Sequence, residues 1–305
     1  MSGPSQCSLC GADTAHQSIH TTHVYKGRND QAFYRCSSCD VVYLFPLFSQ
    51  QEMDRFYASE FDGYMAERSA ESSGWETPEQ HVAANQQQLE RRLKYLSPHR
   101  PKGKCRILEF GCSSGFMLYP FINEGHECIG VEPLKSYADF VRAKGIPCFN
   151  RIEDLKADPV CDEGFDLIMH FFVLEHMPDP LFFICQQIDL LREGGKLIIE
   201  IPNSSDSLAT VYNIGAFERF YWSVVHPWYF SETSFRFLLN QLELDYEIIL
   251  DQRYDLSNHM VWARDGEPGG MGRFTDIIGQ DTEDNYRQAL IRSGHCDTII
   301  AVISK

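Results

Sequence analysis

Seven short apolar runs, each separated from the next by a helix-like segment, constrain the fold of this chain more than any other feature. They read "CRILEF" (105–110), "HECIGVE" (126–132), "IPCFN" (146–150), "FDLIMHF" (165–171), "KLIIEIP" (196–202), "YEIILDQ" (246–252) and "DTIIAVIS" (297–304). Helical spacing of apolar residues fills several of the gaps, as in "LKSYADFVRAKG" (134–145) and "SETSFRFLLNQL" (231–242). Near-continuous apolar strands alternating with helices imply a parallel sheet covered on both faces. Right-handed crossovers between such strands leave a doubly wound α/β fold. This domain runs from 101 to 305, with an insertion at 251–295 whose Gly-rich stretch "RDGEPGGMGRF" (264–274) reads as a loop.

The first run continues into "ILEFGCSSGF" (107–116), so a buried strand stops at an acid and two glycines. Glycines at Gly111 and Gly115 strip side chains from a tight turn and admit a close neighbour. In an open α/β sheet that neighbour is a ligand, held outside the carboxyl ends of the strands. The second run ends on Glu132, where a carboxylate can take both hydroxyls of a ribose. The turn lacks the middle glycine of G-x-G-x-x-G, and the carboxylate of Glu109 would repel a pyrophosphate. It suits an ammonium or a sulfonium, so the ligand expected is S-adenosylmethionine.

The N-terminal 45 residues carry a second pattern. Cys7 and Cys10 lie in "CSLCG", and Cys36 and Cys39 in "CSSCD". Two C-x-x-C pairs suit a four-thiolate Zn²⁺ site, and short alternating segments between them read as the strands of a zinc ribbon. Four cysteines fill the coordination shell, which makes the zinc structural and leaves His16, His20 and His23 as surface residues. The other seven cysteines fall in core elements as small apolar groups. Residues 46–100 read as a helical connector. "FSQQEMDRFYASEFDGYMAE" (48–67) has aromatics at helical spacing, Phe56, Tyr57, Phe61 and Tyr64, which fit packing better than a lid. A later helix starts at Thr77 with Pro78 in its first turn.

Charge and hydropathy exclude other classes. The 43 acidic residues outnumber the 27 basic ones, for a formal charge of −16, and a field of that sign disfavours nucleic acid. The most basic stretch, "RRLKYLSPHRPKGKCR" (91–106), reads as a solvated helix end and linker. No apolar run approaches the ~18–20 residues of a membrane span, and the N-terminus lacks a signal-peptide pattern. The expectation is a cytoplasmic protein without a membrane partner.

From about 105 to 305 the chain resembles the class I S-adenosylmethionine-dependent methyltransferases. The resemblance rests on "ILEFGCSSGF", on "VLEHMPDP" (173–180) and on "LLREGGKLIIEIPN" (190–203). It implies a Rossmann-like sheet of seven strands, the last one antiparallel. It also implies that Glu109, Gly111 and Gly115 hold the methionine end of the cofactor, with Glu132 on its ribose. An acid after the third strand often meets adenine in this family, which points to Glu153 or Asp154 in "NRIEDL". Where many relatives carry a polar residue this chain has Phe172, implying a more apolar wall beside the methyl donor.

The segment "YWSVVHPWYFSETSF" (221–235) is similar to one in nucleotide-sugar C-methyltransferases that also bear an N-terminal zinc ribbon. There a histidine acts as base, which makes His226 the first candidate, followed by His259 and His176. In those enzymes an acid precedes the histidine; here Val225 does. Glu175 and His176 have a second reading, as groups that orient the loop after the fourth strand. Within the insertion, Arg253, Tyr254, Asn258 and His259 alternate with apolar residues. That pattern suits an acceptor pocket with Arg253 as an anion clamp, or else a surface flap held by Trp262 and Met260. The function expected is methyl transfer to a small-molecule or carbohydrate acceptor, a nucleotide-linked or polysaccharide sugar, at oxygen or carbon. Two alternatives stand beside it: an RNA methyltransferase gripping substrate with the ribbon, and a non-catalytic module that binds the cofactor.

Overall fold

All seven apolar runs form strands of one sheet. The computed structural model describes residues 3–48, 52, 63–64, 77–100 and 102–305. Three strands precede the main sheet: β1 (Gln17–Thr21), β2 (Ala32–Cys36) and β3 (Val42–Phe45). The main domain contributes β4 (Arg106–Phe110), β5 (Glu127–Val131), β6 (Cys148–Phe149), β7 (Phe165–Phe171), β8 (Leu191–Pro202), β9 (Trp228–Tyr229), β10 (Asp245–Asp251) and β11 (Thr298–Ser304). The large sheet has the order β10-β11-β8-β7-β4-β5-β6, and β11 pairs antiparallel with both of its neighbours. The remaining pairings are parallel. This is the seven-stranded methyltransferase sheet with its last strand reversed.

Strand order turns back between β4 and β7, so the loops after these two strands splay apart and open a crevice at the carboxyl edge. Each face of the sheet carries its own apolar layer. Leu108, Ile129, Ile168, Ile199 and Ile299 belong to one, and Ile107, Cys128, Leu167, Ile198 and Ile300 to the other. Successive side chains of a strand alternate between the layers, which is why the sequence shows unbroken apolar runs. Local signals start the covering helices. Thr77 accepts from the Gln80 N–H, Asp179 caps the helix Pro180–Leu190, and Ser231 with Ser234 forms a reciprocal capping box.

The fold adds detail to several expectations and corrects the reading of Met260 and Cys185. The helix Gln86–Leu96, read as connector, is part of the main domain: Arg91, Arg92 and Tyr95 all bond Glu200 of β8. The insertion holds the helices Leu256–Asp265, Thr275–Ile278 and Gln280–Ser293, the first capped by Asp255. The Gly-rich loop spans only the gap between the first two, and the side chain of Asn258 ties it down through the Gly269 carbonyl at 2.6 Å. Trp262 is buried there, as a flap anchor requires, while Met260 is exposed. Cys185 is also exposed, on the outer side of its helix, and is not a core thiol. Of the aromatics in 48–67, Phe56, Tyr57 and Phe61 lie outside the described residues; Tyr64 is buried and its hydroxyl meets Ser223 Oγ at 2.6 Å.

The N-terminal lobe is completed by the main domain. Its sheet runs β1-β2-β3-β9, the last strand being Trp228–Tyr229 just after His226. Phe33, Val42, Leu44, Trp222, Val225, Tyr229 and Trp262 form a shared apolar cluster beneath it.

Candidate active site

Glu109 stands next to last in β4, where both faces of the sheet are covered, and is 2% exposed. Its Oε2 is buried with no hydrogen-bond partner among the described residues, and burial pushes its pKa well above the ordinary range. A carboxyl left unpaired in this position implies a ligand with a donor or a cation. After it the chain turns sharply, with Gly111 at φ +65° and Gly115 at φ +73°. A Cβ on Gly111 would lie 2.7 Å from Val173 Cγ2, so this glycine lets the loop after β7 close onto the turn. Glu132, at the tip of β5, braces the same turn: its two oxygens accept from the Ser113 and Leu134 N–H groups, each at 2.8 Å. Each carboxylate oxygen can accept a further bond, as a ribose diol requires. Burial raises its pKa to about 7.

Sequence reasoning missed His81. It lies buried in the helix Pro78–Ala84, and its Nδ1 reaches Ser114 Oγ at 2.9 Å, so this helix lids the turn. A polar residue on the buried face of an otherwise polar helix was the only signal.

Opposite the turn, β7 ends at Phe171 and Phe172 takes φ +58°, a left-handed conformation that costs a bulky residue energy. Its N–H donates to the Glu200 carbonyl at 2.8 Å. The twist turns the next residues into a short 3₁₀ turn, Leu174–His176, over the crevice. Glu175 is 1% exposed with both oxygens unpaired, and burial lifts its pKa to about 8. His176 meets His226 edge to face, with ring centroids 4.6 Å apart. The Trp228 Nε1–H, which donates to the Met177 carbonyl at 2.9 Å, fastens the two segments together. Glu175, His176 and His226 also offer three ligand atoms within 4.8 Å of one another, a spacing that could hold a divalent cation.

The other expected residues lie elsewhere. His259 is not beside His176 and His226; it is buried, with Nδ1 2.6 Å from the Tyr286 hydroxyl and Nε2 3.4 Å from Gln252 Nε2. Burial lowers its pKa to about 4, which suits a packed structural imidazole better than a base. Glu153 and Asp154 are exposed at the start of the helix Ile152–Lys156, and Glu153 pairs with Arg151. The polar side chain that reaches the tip of β5 is Asn150, whose amide donates to the Glu132 carbonyl at 3.0 Å. It immediately follows β6, whereas both acids have already turned into the helix.

The four N-terminal cysteines converge. Cys7 and Cys39 Sγ lie 3.8 Å apart, and Cys10 and Cys36 Sγ 3.6 Å apart. A tetrahedron with Zn–S bonds of about 2.3 Å has edges of about 3.8 Å, so the thiols fit a zinc ion. N–H groups of Leu9 and Gln17 point at Cys7 and Cys36 sulfur, as thiolates favour. The spare histidines have other partners: His16 meets Ser37, His20 packs on Trp222, and His23 bonds the Arg219 carbonyl.

Residues 80–247 match the family described as Methyltransferase domain. The chain belongs to that family. Among curated relatives, the tRNA U34 carboxymethyltransferase of Dichelobacter nodosus (strain VCS1703A) is 34% identical over 35% of this chain and 36% of its own length. The ubiquinone biosynthesis O-methyltransferase of Xylella fastidiosa (strain 9a5c) is 25% identical over 55% of this chain and 66% of its own. The chain thus spans less than two thirds of the length of either relative. A solved SAM-dependent methyltransferase from Archaeoglobus fulgidus aligns at 19% identity and TM-score 0.48, over 74% of this chain and 97% of its own. The methyltransferase-domain match begins within the helix Pro78–Ala84, in keeping with the docking of His81 on the Gly111–Gly115 turn. Among the described residues no helix is long and apolar enough to cross a membrane.

Proposed function

We propose that this protein transfers a methyl group from S-adenosylmethionine to a small-molecule acceptor. Glu109, Gly111, Gly115 and Glu132 would hold the cofactor, and Cys7, Cys10, Cys36 and Cys39 a structural zinc. The observation that carries this reading is the His176–His226 contact, with centroids 4.6 Å apart, on a turn whose neighbour Val173 abuts Gly111. It sets two imidazoles and a buried carboxyl beside the turn that would hold the donor. When bound, the cofactor supplies an electrophilic methyl on sulfur. The chain's part is to bring the acceptor within about 3 Å of that methyl, in line with the sulfur, and to take its proton. His226 accepts that proton, from a hydroxyl or from a carbon beside a carbonyl, and His176 orients its ring. A nucleotide-linked or polysaccharide sugar is the acceptor class carried forward from the similarity of segment 221–235.

An RNA acceptor is the second reading, supported by the alignment with a tRNA U34 carboxymethyltransferase and opposed by the charge of −16. Incubation with labelled donor and a panel of nucleotide sugars, oligosaccharides, phenols and tRNA separates the two. Label transfer to a small acceptor, lost in His226→Ala with S-adenosylhomocysteine affinity retained, is the expected result. Transfer to tRNA alone, or an unchanged rate in His226→Ala, defeats the reading.

A further inference from the structure

Arg253 lies two residues after β10 at the carboxyl edge of the sheet, with Phe172 after β7 and Asp297 before β11. Its guanidinium carbon sits 4.2 Å from the centre of the Phe172 ring and 5.0 Å from that of Tyr254. A planar cation stacked on one ring and flanked by another is held in orientation without spending its donors. The side chain is mostly buried, at 18% exposed. Only Nε engages the protein, at 3.4 Å from Asp297 Oδ1; among the described residues neither terminal amine has a hydrogen-bond partner.

The acids around this fork are committed elsewhere. Asp297 accepts from the N–H groups of Arg253 and Tyr254, from Gln252 Nε2 and from Thr298 Oγ1. Glu200 accepts from Arg91, Arg92 and Tyr95. Asp206 caps the Leu208 N–H. The fork therefore retains positive charge and two terminal amines without a protein partner among the described residues, and it stacks on Phe172, which introduces the His176 turn.

We propose that the Arg253 guanidinium, stacked on Phe172, is an oxyanion subsite that binds a carboxylate or phosphate carried by the acceptor. This deepens the methyltransferase reading and rests on it: the anion fixes the acceptor so that its nucleophilic atom faces His226. Terminal amines in a fixed plane match two oxygens of such a group. The left-handed backbone at Phe172 has a purpose on this view, since it places the ring beneath the fork.

The test uses the whole 305-residue chain, supplied with zinc and saturated with S-adenosylhomocysteine. Arginine side-chain ¹⁵N resonances are followed during titration with inorganic phosphate and with acetate, at constant ionic strength in chloride. Arg253→Lys and Arg253→Met are compared after their folding is checked by thermal midpoint. A saturable shift of one arginine resonance, absent in Arg253→Met, is expected, and calorimetric titration with the same anion should show binding about tenfold weaker in Arg253→Lys, because lysine keeps the charge and loses the fork. Response to acetate alone assigns a carboxylate acceptor, and response to phosphate alone a phosphorylated one. No saturable shift with either anion, or a shift that persists in Arg253→Met, overturns the proposal. S-adenosylhomocysteine affinity, measured in the same samples, reports on the methyltransferase reading separately.

Discussion

The Leu44 N–H donates to the Pro227 carbonyl at 2.9 Å, joining the last strand of the N-terminal lobe to the residue after His226. The contact continues as a ladder, Val42 opposite Tyr229 and Tyr43 opposite Trp228, and Ser231 Oγ donates to Asp40 next to the second cysteine pair at 2.5 Å. On the other flank the Tyr25 N–H meets the Trp222 carbonyl at 2.7 Å. The segment that bears the candidate base is thus itself part of the cysteine lobe's sheet.

Removing zinc from the proposed four-cysteine site should act on His226 before it acts on the cofactor turn. Cys36→Ser, or chelation of the wild type, is expected to lower the bound zinc count and the thermal midpoint. Turnover should fall sharply while S-adenosylhomocysteine affinity changes little. Metal analysis with calorimetric titration checks this; equal losses of turnover and affinity would argue against the ribbon as a scaffold for His226.

Gly111→Ala introduces a Cβ at a backbone φ of +65° and 2.7 Å from Val173 Cγ2. Both the left-handed conformation and the overlap oppose it, for about 1–3 kcal/mol each. Lower stability in urea and weaker S-adenosylhomocysteine binding are expected. Replacing Val173 by alanine in the same chain should recover part of the stability, since only the overlap is relieved.

Glu132 gives two opposite pH effects. Its pKa rises from an ordinary 4.5 to about 7 in the folded protein. Between those values the native state holds a proton that the unfolded chain has released. Its contribution to unliganded stability therefore falls as pH rises, by up to about 1.4 kcal/mol per pH unit. Ribose hydroxyls need the ionised carboxylate as acceptor, so ligand affinity should rise with pH and level off above about 7. Glu132→Gln should flatten both dependences and weaken binding by roughly 2–4 kcal/mol. Titrations at pH 6 and 8 decide the matter.

Glu200 is fully buried and receives Arg91, Arg92 and the Tyr95 hydroxyl, which hold its pKa down at about 2 despite burial. Its contribution to stability is present above the ordinary 4.5 and lost as pH falls through about 2. Glu200→Gln leaves the Arg92 guanidinium without its carboxylate partner, whereas Arg91 keeps Asp251, and is expected to cost about 3–5 kcal/mol in denaturant unfolding. The helix Gln86–Leu96 should lose hydrogen-exchange protection first, since that network docks it on β8.

The main fold was legible because its signals are local. Apolar runs such as "KLIIEIP" can only be strands buried on two sides, and Thr77-Pro78 or Ser231 with Ser234 mark helix starts within a few residues. The cysteine pairs were legible for the same reason: a C-x-x-C brings its own two sulfurs together. The insertion was harder, because Asp255 caps a helix whose polar face is covered by Glu283 and Gly269, and such polar contacts leave no apolar period to read. Asn150 was overlooked because the expectation looked for an acid, whereas the side chain that bonds the Glu132 carbonyl is an amide.

Residue order alone determined that β4 and β5 end in Glu109, Gly111 and Glu132, since strand and turn chemistry act over a handful of neighbours. Tertiary structure alone decided which histidines meet. His176 and His259 each had a case on paper, yet the sheet order and the Trp228–Met177 bond bring His176 to His226 and leave His259 with Tyr286. Contacts between segments so far apart in the chain depend on which loops the strand order sets side by side, and no local periodicity records that choice.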